Sequence, residues 1–295
     1  MKKIILITTF AILFFAKTAE CQLNPMVSMF YQNEFLGNPA MAGLEPGYRL
    51  SGALKAQWTA ITGAPIMQSA TLDYGSNNRR IGLGLSLYNE SAGLINKKRL
   101  YTSFAYHLKL TKVNVSVDFG LSGGYTDESL VVNKVIGDLS DELIGDFNQR
   151  KPYFDGDFGI AIHAKKLTLQ GAVTDLKRLF NRDIERIIID RSRYFMALSY
   201  KFTNDDKVIQ SIEPKFAVRN ILNYGNIYDA GINCLTSEGR LSMCAIYHST
   251  NSITIGVGTT YKNKLSILTC YTSNTADLQN YGNSEFELAL KLSFK

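Results

Sequence analysis

Beyond its first twenty residues this 295-residue chain has no apolar run long enough to cross a membrane as a helix, which excludes a helical membrane protein. Histidine is scarce: His107, His163 and His248 stand apart, without the short ligand spacings of a zinc site, so no metal is expected. No carboxylate pair, phosphate-cradling glycine loop or nucleophile triad is present, so no cofactor is expected either. Gly120, Ser122 and Gly124 have the spacing of a serine-hydrolase elbow, but that elbow needs a strand turning sharply into a helix. Ser122 instead sits inside an alternating segment that continues to Tyr125, where small residues relieve strand curvature, and no enzyme is expected. The acids Asp138, Asp141, Glu142 and Asp146 lack the ordered spacing of a calcium loop and read as a solvated external loop.

Charge is also sparse, at 20% of residues. Lys2 and Lys3, an apolar run from Ile4 to Phe15 and small residues up to Ala19 have the layout of a secretory signal peptide, residues 1–21, with the mature chain starting at Gln22. Lipidation of Cys21 is the alternative, although Glu20 is a poor residue to precede a lipidated cysteine. Removing Lys2, Lys3, Lys17 and Glu20 lowers the formal charge from +6 to +4, with 29 basic side chains against 25 acidic ones. That balance is too mild and too scattered for a nucleic-acid partner.

What the chain does have is alternation. Ile81, Leu83, Leu85 and Leu87 interleave with Gly82, Gly84, Ser86 and Tyr88, and Tyr194, Met196, Leu198, Tyr200 and Phe202 interleave with Arg193, Phe195, Ala197, Ser199 and Lys201. One face suits hydrocarbon and the other tolerates charge, as in a transmembrane β-barrel. Strands are predicted over 48–58, 66–74, 81–89, 98–110, 113–125, 153–164, 167–174, 193–202, 208–219, 227–235, 240–247, 252–261, 264–271 and 285–294. That makes an all-β fold: an antiparallel outer-membrane barrel of about fourteen strands, spanning 48–295.

The connections test that count, because short periplasmic turns and longer external loops should alternate in such a barrel. They do so from Gly75–Arg80 and Thr111–Lys112 on one side to Glu90–Lys97 and Thr126–Pro152 on the other, with His248–Asn251 short for an external loop. Both barrel ends then face the periplasm, and residues 22–47 form a segment that lies in the lumen or at the periplasmic rim. Inward positions hold Arg49, Lys55, Asp73, Asp118, Asp157, Lys215, Arg219, Asp229 and Glu287, mixed signs that favour internal ion pairs over a selective ion pore. Alternation sets Cys234 on the lipid face and Cys244 and Cys270 on the lumen face, the latter on strands two apart and so roughly 9 to 10 Å from each other, and no disulfide is expected. Ile187, Ile188 and Ile189, in an external loop, either pack into the barrel mouth or meet a partner.

The most specific signal follows the leader. Tyr31, then Asn38, Pro39, Ala40 and Gly43, Tyr48 and Arg49, Gln57 and Trp58, Gly63, Pro65 and Asp73 stand in an order that resembles the PorP/SprF family of type IX secretion proteins. Asn89, Glu90, Ala92 and Gly93 resemble that family's next external loop, with Glu90 where aspartate is commoner; Tyr228, Asp229 and Gly231, then Ser284, Glu287 and Leu288, extend the likeness to the chain end. The resemblance implies a non-enzymatic outer-membrane barrel that works with periplasmic ring lipoproteins and with secreted proteins or gliding adhesins bearing a C-terminal sorting domain. It marks Asn38, Pro39, Gln57, Trp58, Pro65, Glu90 and Gly93 as signature positions, which either fold the first strands or touch a partner. Its rival is a passive channel or small-solute transporter, which the same alternation suits.

Overall fold

The computed structural model describes residues 26–58, 62–110, 114–131, 147–148, 151–177, 192–204, 208–221, 225–236, 239–273 and 284–294. The expected signal peptide, the acids of 138–146 and the isoleucines of 187–189 lie outside these residues.

Among the described residues the chain forms β1 (Gly47–Ala56), β2 (Ile66–Gly75), β3 (Ile81–Ala92), β4 (Ile95–Leu110), β5 (Val115–Leu130), β6 (Tyr153–Ala164), β7 (Leu167–Val173) and β8 (Ser192–Tyr200). It continues with β9 (Ile209–Ile221), β10 (Gly225–Thr236), β11 (Leu241–His248), β12 (Ser252–Tyr261), β13 (Leu265–Thr272) and β14 (Glu285–Phe294). Phe202–Thr203 prolongs β8 beyond Lys201 and pairs with β9. Each strand is antiparallel to its sequence neighbours, and β14 closes on β1 from Tyr48 opposite Phe294 to Ala56 opposite Phe286. The result is a closed fourteen-stranded barrel, with no free edge to template aggregation.

Alternation is what makes these segments a wall. On β12, Ile253, Ile255 and Val257 are 49%, 57% and 52% exposed, while Ser252 and Thr254 between and beside them are fully buried. A soluble protein would reverse that order; here the apolar side faces hydrocarbon and the polar side faces the lumen. Tight turns come from left-handed residues. Lys262 and Asn263 have φ of 49° and 55°, and Lys264 N donates to Tyr261 O at 3.0 Å, a type I′ hairpin whose twist matches its strands.

Three sequence expectations are corrected. The strands β3, β4 and β5 run to Ala92, from Ile95 and to Leu130, β4 and β5 well past the 9 to 11 residues or so that a crossing needs, so the expected loop Glu90–Lys97 is mostly strand with a turn at Gly93–Leu94. Glu90 is therefore not in a loop: it is a buried, inward residue of β3. The first strand stops at Ala56 rather than Trp58, because Trp58 adopts a left-handed φ of 48°.

Residues 26–46 occupy the lumen. They comprise one helical turn, α1 (Ser28–Tyr31), and 3-10 turns at Glu34–Leu36 and Pro39–Met41. The apolar core of the molecule is built between this segment and the inner wall. Val27 and Phe30 pack with Phe195, Ala197, Ala217, Ile246, Leu268 and Ala289, and Phe35, Ala40, Met41 and Ala42 pack with Ala105 and Ala161.

Candidate functional site

The segment enters deep in the barrel and descends to the rim where β1 begins. At its upper end the backbone N–H groups of Val27 and Ser28 donate to the Glu287 carboxylate at 2.5 and 2.7 Å. Lower down, Asn33 Nδ2 donates to Thr71 Oγ1 at 2.9 Å and Lys291 Nζ donates to the Gln32 carbonyl at 3.1 Å. Lys215 binds the Phe30 carbonyl and the Glu34 carboxylate, and its ammonium stands 4.9 Å from the Tyr31 ring centre. Burial, and next the Glu213 carboxylate, push the Tyr31 phenol up.

Asn38, Pro39 and Ala40 sit on two glycines that face each other across strands, Gly120 of β5 and Gly159 of β6. A Cβ on Gly120 would lie 2.2 Å from Ala40 N, and one on Gly159 would lie 2.0 Å from Asn38 Oδ1. Gly120, the first glycine of the spacing that resembles a hydrolase elbow, thus serves close approach of the lumen segment, whereas a Cβ on Gly124 would meet Leu100 O of β4 at 1.9 Å. Ser122 meets Ser103, Oγ to Oγ at 2.8 Å, within an uninterrupted β5.

Asn38 itself is fully buried. Its Nδ2 donates to the Ile160 carbonyl at 3.2 Å and to Gln170 Oε1 at 3.3 Å, while its Oδ1 accepts from Ala40 N at 3.0 Å and caps the turn. Gln170 in turn donates to Glu34 at 3.1 Å. We expect Asn38→Ala to loosen the segment by about 1–3 kcal/mol, the cost of leaving such partners unmatched. Faster proteolysis of residues 26–46 in an intact barrel would register it.

Near the rim, Gly43 N donates to Asp73 at 3.0 Å, and Asp73 also pairs with Arg49. His107 donates through Nε2 to the Ala42 carbonyl at 3.0 Å and sets Nδ1 2.9 Å from Asp118. His163 Nε2 lies 3.0 Å from the other Asp118 oxygen. The histidines are therefore not isolated, contrary to the sequence reading: strand register brings His107 and His163 to one carboxylate, and His248 stands 2.6 Å from Asp229. Asp229 also receives Arg219 through Nε at 2.6 Å and through its terminal nitrogen at 3.0 Å. The mixed inward charges do pair, here and at Arg99–Asp157 (3.0 Å) and Lys55–Glu285 (2.9 Å). Arg99 and Glu285 lie within the predicted strands 98–110 and 285–294, and the structure adds both to the inward charges.

The other signature residues gather at the opposite end of the barrel. Gln57 and Trp58 are buried, Gln57 Nε2 donates to Glu285 at 2.8 Å, and Gln57 N closes the hairpin onto the Pro65 carbonyl at 3.0 Å. Gly63 and Gly93, at φ of 80° and 60°, touch through Gly93 N donating to Gly63 O at 2.8 Å, joining the tips of two hairpins. Glu90 accepts from Tyr88 OH at 3.1 Å and faces Lys97 across the strands. Of the seven signature positions, Gly93 alone is exposed; Asn38, Pro39, Gln57, Trp58, Pro65 and Glu90 are buried. Among the described residues no group of three or more histidine, cysteine or acidic side chains could hold a metal ion.

Comparison with known proteins agrees with this architecture. No curated protein matches the chain. Among solved structures, the Ralstonia pickettii toluene transporter TbuX is similar over 89% of this chain and 94% of its own, at 13% identity and a TM-score of 0.55. The CymD monoaromatic hydrocarbon channel is similar over 94% of this chain and 95% of its own, at 12% identity and a TM-score of 0.52. At such identities the likeness is one of fold, that of an outer-membrane barrel. The sequence profile of type IX secretion system membrane protein PorP/SprF matches residues 19–292, nearly the whole chain, and so the chain belongs to the PorP/SprF family of type IX secretion membrane proteins.

Proposed function

We propose that this barrel is a non-enzymatic docking component of type IX secretion. In this reading it receives or anchors cargo bearing a C-terminal sorting domain, or a gliding adhesin, at its external end, and meets the periplasmic ring lipoproteins at its lower rim. Family membership puts its partners within the secretion machinery and its site of action at the outer membrane. The observation behind the finer reading is the segment seated in the lumen: residues 26–46 are bonded to the wall from Glu287 down to Asp73, which suits a platform better than a conduit.

The buried signature side chains support the barrel ends, and contact with cargo falls to the exposed tips around Gly63, Gly93 and Leu94. The experiment is deletion of the gene followed by proteomics of the surface and culture fluid. Loss of one or more sorting-domain proteins from those fractions is expected; an unchanged profile would refute the proposal.

The passive channel or small-solute transporter remains the rival because the solved structures of similar fold are named as a transporter and a channel. It requires residues 26–46 to leave their seats. Single-channel recording separates the two, since a seated segment passes no steady current.

A further inference from the structure

We propose that the outer wall carries a binding site for a glycolipid of the external leaflet, an acyl chain below and a hydroxyl-rich head above. A concavity of about 910 Å³ lies on the outside of β2 to β5 near their external ends. The strand register resolves it into rows. One row is apolar: Ala70, Leu87, Leu100 and Tyr125 are successive cross-strand partners, and Tyr125 meets Phe154 of β6 edge to face at 5.8 Å. The next row outward is polar throughout: Gln68, Asn89, Lys98 and Asp127 are likewise successive partners.

The change from hydrocarbon-compatible to water-compatible side chains therefore occurs within one step of two residues along every strand, about 7 Å. An amphiphile lying against this wall meets the same change along its own length. Ala70 stands where the other strands of the row carry Leu, Leu and Tyr, so the floor is hollow at one place and a chain can settle there. The head-group level is furnished mainly with amides. Asn89 Nδ2 donates to Gln68 Oε1 at 3.1 Å and Asn96 Nδ2 donates to Asn89 Oδ1 at 3.1 Å, an ordered ladder that keeps further amide hydrogens and lone pairs for a ligand. Lys98 and Asp127 oppose each other across the strands, so the level carries no net charge. Neutral, paired donors and acceptors match sugar hydroxyls better than a phosphate, for which an unbalanced cation would be expected.

β4 and β5 are the longest strands among the described residues. Each has sixteen residues, so the wall stands above the hydrocarbon and holds the amide row at head-group height. Neither residues 26–46 nor the tip residues Gly63, Gly93 and Leu94 line this concavity, so it is distinct from the docking surface proposed above.

The test is reconstitution of the full barrel into nanodiscs of phosphatidylcholine with a minor fraction of digalactosyldiacylglycerol, followed by quantifying lipids that stay bound through mild detergent exchange. Enrichment of the digalactosyl lipid on the order of tenfold over the bulk ratio is expected for about two added hydrogen bonds. Ala70→Phe, which fills the floor while facing lipid, and the Asn89→Ala/Asn96→Ala pair, which leaves the floor intact, should each return binding toward the bulk ratio. A wild-type barrel at the bulk ratio, or variants that enrich as well as wild type, would overturn the assignment, as would equal enrichment of an anionic phospholipid put in place of the sugar lipid.

Discussion

Gly120→Val is expected to convert a silent barrel into a conducting one. The added Cβ would stand 2.2 Å from Ala40 N and 2.2 Å from Pro39 C, far inside any real contact distance. Both are backbone atoms of a turn, and no rotamer change relieves the clash. The wall itself accepts the change, because Gly120 lies in extended β5 and valine favours strands. What gives way is the lumen segment: lifting Pro39 and Ala40 also draws Asn38 from Ile160 and Gln170. In planar bilayers the wild type should give no steady current and the variant should give resolvable steps, with residues 26–46 becoming cleavable by added protease. Gly171→Ala is the control, since its Cβ would meet nothing nearer than 3.7 Å. A silent, protease-resistant Gly120→Val barrel would show that the segment has other room to move.

Asp229→Ala should be the most destabilising single change in the lumen outside the segment. Arg219 and Asp229 are each 1% exposed and bonded through two nitrogens, and His248 leans on the same carboxylate. Removing the carboxylate strands a buried guanidinium, a defect worth about 3–5 kcal/mol. Replacing both partners, Arg219→Met with Asp229→Leu, should recover most of that loss, because no buried charge is then left alone. Urea unfolding followed by the mobility shift between folded and unfolded barrels reads both variants. Equal losses in the single and double variants would mean that the pair contributes through packing alone.

The wall was legible in the sequence because its physics is repeated fourteen times: a period of two, apolar toward lipid, with turn residues at the short end. Where alternation turned polar on both faces it stopped being visible. Asn96, Lys98, Asp127 and Ser129 face outward above the hydrocarbon, so β4 and β5 read as shorter than they are, and Glu90 read as loop. The pairing of His107 and His163 through Asp118 was hidden for another reason. It depends on the register of β4, β5 and β6, and register is a long-range quantity that one sequence does not display.

The lumen segment left a trace that polar-inside reasoning overlooks. Phe195, Ala197, Ala217, Ile246 and Leu268 point inward, where a water-filled barrel would carry polar groups, and Gly120 and Gly159 stand side by side beneath Pro39. Apolar and missing side chains on the inner face, beside a short apolar stretch preceding the first strand, together mark an internal core. Asn38, Pro39 and Ala40 form the seat of that segment on the wall.

The docking role is tested most directly by purifying the tagged full chain from its own outer membrane in mild detergent and identifying what survives a stringent wash by mass spectrometry. Periplasmic ring lipoproteins or a large protein with a C-terminal sorting domain should be recovered. A solitary barrel that conducts when placed in a bilayer would contradict that role.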